Sequence, residues 1–356
     1  MHLQSISNYR ALAIILIVSG HMYWSGFENT DFIGDMIRNI VTGGTAMFVF
    51  ISGFMFHHVF FERFDYSRFV FNKLKNVAVP YLVLSSAFTL ILYFTSSGYF
   101  SSDEIGKVFY GTIFDTTDSD FVIFLKYIAS GAMLTAYWYV PFAVMLFISS
   151  PMHVRFIKSK FNFQVVVVLV LSILAIFSHR PIENTNALHS LIYFTPIYLI
   201  GIMVSIHASK IRLLPRSILF ILFLIVAILS FYQTFTHDVG NYHKIFLEMS
   251  GVDLQFIQKV ALVLFLYFLF ERWDIENAWL DIISKTSFAI FFIHPWLMSI
   301  MYRIYARFGL VSEGELFNPL LYLFSVSVII FFSVAIGRVF KYFAKGSKKT
   351  RYIIGY

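Results

Sequence analysis

Arg10 and His21 are the residues of this chain whose types and spacing most clearly suggest chemistry. They lie eleven residues apart in an otherwise apolar segment, RALAIILIVSGH. Eleven steps of about 100° return a helix to within about 20° of its starting direction, so both side chains share one face, about 16 Å apart along the axis. Such a face could line a passage. The alternative is an arginine that snorkels to the membrane interface and a histidine with a structural role.

The composition indicates that this segment lies in a membrane. Of the 356 residues, 58% are hydrophobic and 13% are charged, and the mean hydropathy is +0.74; a soluble domain is about 25% charged. A chain with so few charged residues cannot cover the surface of a water-soluble fold with polar groups. We therefore expect an integral membrane protein. The absence of cysteine excludes thiol catalysis and disulfides. The net charge of +7 is expected to report membrane orientation, and we expect no binding of nucleic acid.

Ten long apolar runs predict ten membrane-spanning helices, because about 30 Å of hydrocarbon requires about 20 helical residues. The predicted spans are 9–26, 39–61, 77–95, 136–152, 163–179, 188–206, 216–234, 254–270, 282–302 and 319–342. The longest connection is predicted at 96–135, with a short helix around 121–131. We therefore expect an all-α polytopic membrane helical bundle of about ten transmembrane helices, formed by a single domain, residues 1–356.

The distribution of basic residues predicts the orientation of this bundle. Most of the 27 lysines and arginines fall on one side of the membrane if the N-terminus is cytoplasmic. The loop 271–281 on that side is acidic, but acidic residues contribute little to this rule. Both termini are therefore predicted to be cytoplasmic, with an even number of spans.

The segment 10–21 resembles the R-x10-H signature of the membrane acyltransferase family 3. Five later segments resemble further signatures of that family in the same order: 48–54 (FVFISGF), 73–81 (KLKNVAVPY), 138–141 (WYVP), 193–201 (YFTPIYLIG) and 284–295 (SKTSFAIFFIHP). Two positions depart from the family pattern. Ser7 stands where members often have an aspartate three residues before the arginine, and the third-span entry has Lys73 and Lys75 where members are often rich in arginine.

The resemblance implies an integral membrane O-acyltransferase, with O-acetyl transfer as the first expectation. Members move acyl groups from cytoplasmic acyl-CoA to cell-surface carbohydrates and lipids, which implies acyl-CoA (acetyl-CoA first) as the donor substrate. It also implies a cell-envelope glycan or glycolipid as the acceptor, and a bacterial inner membrane as the location. His21 is expected to act as general base or transient acyl carrier, with Arg10 as its partner on the acyl-CoA side. We expect no tightly bound cofactor and no metal.

A transporter or flippase for a glycan or lipid-linked solute is the alternative from another class of protein. In such a protein the same polar face of the first span would line a solute path. Transporters often contain paired repeats with broken helices, and the sequence contains no visible repeat.

Three cations are expected to hold the nucleotide of the donor on the inner side. They are Arg68, Lys73 and Lys75, which lie close to the entry of the third predicted span. Lysine acts as a point charge and does not form the bidentate contacts that arginine makes to phosphate. The alternative for all three is that they only determine the membrane orientation.

Four further residues are candidates for substrate contacts. The Ser52 hydroxyl could line the substrate path, or serve only the close helix packing that the following glycine permits. Trp138 and Tyr139 could form a platform for a sugar ring, or belong to an interfacial aromatic belt. His294 is predicted to lie at a depth similar to that of His21 and is followed by Pro295. It could make a second catalytic or acceptor-side contact, or bond the backbone at a proline kink.

Overall fold

The computed structural model describes residues 4–25, 32–95, 119–237, 243–273, 275–309, 318–344 and 350–355. Helices account for 82% of them. The helices are α1 Gln4–His21, α2 Phe32–Val41, α3 Thr45–Met55, α4 Tyr66–Lys73, α5 Val79–Thr95, α6 Asp120–Ser130, α7 Tyr139–Ile148, α8 Ser150–Ile157, α9 Phe161–Ser178, α10 Ala187–Ile206, α11 Ala208–Arg212, α12 Ser217–Phe235, α13 Leu254–Arg272, α14 Ala278–Arg307, α15 Pro319–Phe343 and α16 Arg351–Ile354. Two short strands, β1 Arg180–Pro181 and β2 His243–Lys244, pair in parallel. Wider π turns at Phe56–Phe60 and Leu74–Ala78, and 3-10 turns at Phe61–Arg63 and Ile182–Asn184, complete the elements.

Eight helical runs within the described part of the chain are long and apolar enough to cross a membrane. They are Phe32–Arg63, Tyr66–Thr95, Phe161–Ser178, Ala187–Ile206, Ser217–Phe235, Leu254–Arg272, Ala278–Arg307 and Pro319–Phe343, and each overlaps one predicted span. The predicted fourth span is instead two helices, α7 and α8, which meet at 57° and would make a ninth crossing if counted together. The first predicted span, α1, is not in this set because its first two turns are polar. A multi-pass helical protein is confirmed, whereas the count of about ten and the sides of the termini are not.

The break in the fourth predicted span has a local cause. Pro151 lies in the first turn of α8, where a proline is tolerated because the first helical N–H groups have no intrahelical acceptor. Just before it, the Ser149 hydroxyl donates to the Leu146 carbonyl at 2.9 Å. A hydropathy scan sees one apolar run across this boundary, whereas the backbone bends there.

The connection before this span agrees with the sequence where it is described. The predicted short helix around 121–131 is present as α6, which ends at Gly131 in the left-handed conformation (φ +75°). Residues 96–118 of the predicted connection lie outside the described residues.

The chain forms two compact units. The first comprises Met1–Val59, Ile197–Asn241 and Asp253–Phe340, and the second comprises Phe60–Pro196, Tyr242–Val252 and Lys341–Tyr356. In the first unit α1 packs along α14 and also contacts α13, α3 and α2. The backbones of α3 and α10 touch there, because a methyl group on Gly53 or Gly201 would overlap a carbonyl oxygen of the other helix. These contacts fix α1 in the interior of the first unit.

A buried lysine holds the end of α2 in the same unit. Lys259 on α13 is 4% exposed, and its ammonium group donates to the carbonyl oxygens of Asn39 and Ile40 at 2.7 and 2.8 Å. These carbonyls belong to the last turn of α2, where helical carbonyls have no intrahelical partner and a cation is favoured. The carbonyl of the next residue, Val41, lies against Gly20 near the end of α1.

Candidate active site

One continuous helix, α1, carries both members of the Arg10–His21 pair. Its regular geometry places their side chains within about 20° of one direction and about 16 Å apart along the axis, as the spacing predicts. Both residues are half-buried, whereas Ala11, Ala13 and Ile14 of the same helix are fully buried. His21 is the last residue of α1. The Ser19 carbonyl beside it accepts a hydrogen bond from the Tyr322 hydroxyl at 3.0 Å.

His21 is hydrogen-bonded to His294 of α14. The His21 Nδ1 and His294 Nε2 atoms lie 3.1 Å apart. The ring planes are inclined by only 5°, and the ring centres are 5.4 Å apart. Because this separation is the N···N distance plus roughly one ring diameter, the rings meet edge to edge and do not stack face to face. The geometry is that of an in-line N–H···N hydrogen bond.

The backbone of α14 determines which nitrogen of each ring carries the proton. His294 Nδ1 lies 2.8 Å from the Ile290 carbonyl oxygen; a carbonyl only accepts, so Nδ1 is the protonated nitrogen of His294. When both rings are neutral, His294 Nε2 is therefore the acceptor, and His21 Nδ1–H donates to it. The lone pair of His21 then resides on Nε2. A histidine ordered in this way by a second group matches the arrangement of base and orienting residue in acyl-transfer enzymes.

A carboxylate from α14 lies beside the first turns of α1. One oxygen of Asp281, Oδ1, accepts hydrogen bonds from Gln4 Nε2 at 3.1 Å and from the Ser7 hydroxyl at 3.3 Å. Ser7 and Arg10 are three residues apart on α1, so they are neighbours on its surface. The negative charge absent from position 7 is thus supplied to the same turn by the neighbouring helix.

The comparisons with known proteins identify the family of the chain. The acyltransferase domain model of family 3 matches residues 3–338, nearly the whole chain. The chain belongs to acyltransferase family 3. Together with its apolar helices, this membership makes the protein a membrane acyltransferase. No curated protein and no solved structure gives a significant match to it.

Ser52 of this family 3 acyltransferase lies on α3, in the first unit. Its hydroxyl donates to the Phe48 carbonyl of the same helix at 2.8 Å, a bond that satisfies the hydroxyl locally. The following Gly53 provides the close contact between helices, because its Cα lies against the carbonyl of Tyr198. The packing alternative for this segment therefore has a direct structural basis, and the substrate contact of Ser52 stays a prediction.

The three predicted nucleotide-binding cations belong to the second unit. Arg68 is exposed on α4, and its backbone N–H is capped by the Asp65 carboxylate at 2.7 Å. The Lys73 ammonium lies over three aromatic rings, those of Phe60, Phe69 and Phe147, at 4.5 to 5.6 Å. Lys75 lies over the Tyr352 ring at 4.8 Å. Cation–π contacts thus hold the ammonium groups of both lysines in defined positions within the second unit.

Trp138 and Tyr139 also lie in the second unit, at the start of α7. Trp138 is 5% exposed and stacks on Phe194 with ring centres 5.8 Å apart. The Arg180 guanidinium lies 5.4 Å from its ring centre and donates two hydrogen bonds to Asn184 Oδ1. The tryptophan therefore packs inside a cluster and does not lie in a lipid-facing belt, and little of its ring surface is left for a sugar. The sequence analysis does not single out Arg180, the cation over the Trp138 ring. The basic residue directly before Pro181 is the signal that the sequence offers for it.

Trp24 is a second residue that sequence reasoning missed. It follows His21 by three residues in the turn after α1 and is half-buried. Its ring meets Tyr302 and Tyr305 of α14 edge-on, with centres 5.2 and 5.8 Å apart. Its position directly after the R-x10-H segment was the available signal. Among the described residues no group of three or more His, Cys, Asp or Glu side chains could hold a metal ion.

Proposed function

We propose that this membrane acyltransferase is an O-acyltransferase, with acetyl as the acyl group transferred. Its donor is cytoplasmic acyl-CoA, and its acceptor is a hydroxyl of a cell-envelope polysaccharide or glycolipid precursor in the bacterial inner membrane. The observation that carries the proposal is the chain of hydrogen bonds from the Ile290 carbonyl through His294 to His21. This chain gives His21 a defined basic nitrogen, which is what transfer to an alcohol requires.

His21 acts as a general base in the simpler route. Nε2 of His21 removes the proton of the acceptor hydroxyl while the hydroxyl oxygen attacks the thioester carbonyl carbon. The C–S bond of the resulting tetrahedral intermediate then breaks, and the CoA thiolate takes the proton back from Nε2. The positive charge that His21 carries in between is stabilised by its Nδ1–H bond to His294 and by the C-terminal end of α1.

A covalent route uses the same atom. Nε2 attacks the thioester carbonyl carbon, the C–S bond breaks, and CoA leaves as the thiolate. The acceptor oxygen then attacks the acyl-imidazole, the C–N bond breaks, and the proton of the acceptor hydroxyl passes through the freed Nε2 to the CoA thiolate. The two routes differ in one observable. Only the covalent route leaves the acyl group on the protein when acyl-CoA is supplied without an acceptor, so an intact-mass measurement separates them.

The two substrates approach His21 from opposite ends of α1 in this proposal. Arg10, with the Asp281 carboxylate nearby, faces the donor side, and the pantetheine arm spans the distance along the helix towards His21. Lys73, Lys75 and Arg68 hold the nucleotide. Trp24, which is partly open and three residues from His21, is a better platform for the acceptor sugar than the buried Trp138.

Transfer of labelled acyl groups tests the proposal. The full chain in vesicles, supplied with acyl-labelled acetyl-CoA and envelope glycan, should attach label covalently to the glycan. His21→Ala should lower the rate by at least 100-fold, the usual scale for loss of a general base or nucleophile. His58→Ala, a change at an exposed histidine, is the matched control and should keep the wild-type rate. Movement of glycan across the vesicle without attached label would indicate a transporter and overturn the proposal, as would full activity of His21→Ala.

A further inference from the structure

A cavity of about 600 Å³ lies in the first unit between α12 and the C-terminal part of α13. Its lining comes from these two helices and from the short connection before α12, and no residue of α1 contributes to it. It is therefore not part of the His21–His294 site. The basic residues at its mouth lie at the end of α12 and α13 that is predicted to be cytoplasmic.

Three arginines, Arg212, Arg216 and Arg272, line the mouth of the cavity. In the described part of the chain, Glu271 pairs with Arg212 at 2.7 Å and also accepts a hydrogen bond from Ser5. Among the described lining residues, the positive charges of Arg216 and Arg272 are not balanced by this acid. Guanidinium groups bind phosphate through paired, charge-assisted hydrogen bonds.

Two further features of the mouth favour an anion. The Nη1 atom of Arg272 is buried and lacks a hydrogen-bond acceptor among the described residues, although Nη2 donates to the carbonyls of Leu214 and Pro215. A buried donor without an acceptor is costly, and an anionic oxygen would satisfy it. The N-terminus of α12 also opens here, directly after Arg216, and no side chain caps it. The N–H groups of Ile218 and Leu219 donate to the carbonyls of Pro215 and Arg216, and the positive end of the helix dipole attracts negative charge.

The walls of the cavity are apolar and face outward. Phe220 and Phe223 lie one turn apart on α12 and are 62% and 51% exposed. Phe265 of α13 meets Phe223, with ring centres 6.1 Å apart. In a membrane protein such exposed side chains of a spanning helix contact lipid chains. The cavity therefore combines a cationic mouth at the predicted inner interface with an apolar wall that can be reached from the bilayer.

The geometry points to a binding site for an anionic diacyl phospholipid of the inner leaflet. Its phosphate would lie against Arg216 and Arg272, and one acyl chain would run along Phe220, Phe223 and Phe265. Basic pockets between transmembrane helices on the cytoplasmic side bind anionic head groups for the same reason. Acyl-CoA fits less well, because its nucleotide carries more negative charge than two guanidinium groups balance, and no residue of α1 lines the cavity. The site does not depend on the catalytic proposal.

Lipid binding to the purified full chain in detergent tests this site. Native mass spectrometry would measure the affinity for phosphatidylglycerol and for phosphatidylcholine with the same acyl chains. We expect phosphatidylglycerol to bind at least tenfold more tightly. Glycerol phosphate and CoA, each added as a competitor at equal concentration, should not displace it. Equal affinity for the two lipids, or displacement by either soluble phosphate compound, would overturn the assignment.

Paired variants locate the binding. The double variant Arg216→Gln/Arg272→Gln should lose at least tenfold in affinity for phosphatidylglycerol. The control Arg303→Gln/Arg307→Gln, which removes the same charge from exposed positions of α14, should change it less than twofold. Because Arg272 also bonds the backbone, Leu219→Trp provides a second variant that fills the wall and keeps every charge; it should lose affinity as well. If Leu219→Trp and the double arginine variant both fold and bind phosphatidylglycerol with the affinity of the control, the assignment of the site is wrong.

Discussion

Replacement of His294 should separate its orienting role from direct chemistry. In His294→Phe the hydrogen bond to His21 Nδ1 disappears, and the imidazolium that forms during catalysis loses its acceptor. Hydrogen bonds to charged groups contribute about 1.5–3 kcal/mol, and each 1.36 kcal/mol is tenfold in rate. We therefore expect kcat to fall about 10- to 100-fold while KM for acyl-CoA changes less than about twofold. His294→Gln keeps a donor for the Ile290 carbonyl and an acceptor for His21, so its kcat should stay within about fivefold of wild type.

The assay is steady-state acyl transfer by purified variants, with thermal unfolding as the control for folding. Nitrogen NMR of histidine-labelled protein gives an independent readout, because the wild type should have His21 protonated at Nδ1, and His294→Phe should show a mixture of the two tautomers. Equal losses in folded His294→Gln and His294→Phe would mean that the His294 ring itself reacts with substrate. A wild-type kcat in His294→Phe would mean that the hydrogen bond has no catalytic role.

Two other substitutions test the packing and the electrostatics of the first unit. Gly201→Ala should lower the free energy of unfolding by about 1–3 kcal/mol, the usual cost of overpacking, because the new methyl group overlaps the Phe50 carbonyl oxygen. The control Gly44→Ala should cost less, because its methyl group would lie 3.2 Å or more from its neighbours. Equal unfolding temperatures of the two variants would contradict the close contact at Gly201. Asp281→Asn should lower kcat/KM about tenfold, equal to about 1.4 kcal/mol, because the arginine of the R-x10-H pair loses a nearby negative charge. Adding Ser7→Asp in that background should restore most of the loss, and a double variant no better than Asp281→Asn would refute this role of the carboxylate.

The sequence predicts local features of the site well. The eleven-residue spacing of Arg10 and His21 places both on one helix face because α1 is a regular helix, and the structure keeps that helix unbroken. The similar depth of His294 follows from counting residues along its span. The hydrogen bond between the two histidines does not follow, because it depends on α1 packing against α14, and helical periodicity contains no information about which helices are neighbours.

Other features are missed because hydropathy averages over them. Pro151 divides the fourth predicted span, yet the apolar run continues across the break. Lys259 is a single charge in an apolar segment, and its partners are backbone carbonyls of α2, which no side-chain pattern reveals. Asp281 accepts a hydrogen bond from Ser7 although it lies in a distant part of the chain. The break at Pro151 is local, whereas the contacts of Lys259 and Asp281 depend on tertiary packing.

The Ile290 carbonyl has a consequence for how this enzyme could be tuned. A main-chain oxygen, not an ionisable group, sets the proton arrangement of both imidazoles. Surface charge and salt therefore have little effect on that arrangement. The curvature of α14 has a much larger effect on this proton arrangement, because the helix flexes most readily at Pro295, directly after His294. A change in the bend of α14 at Pro295 would move the Ile290 carbonyl and would thereby alter the hydrogen bond between the two imidazoles.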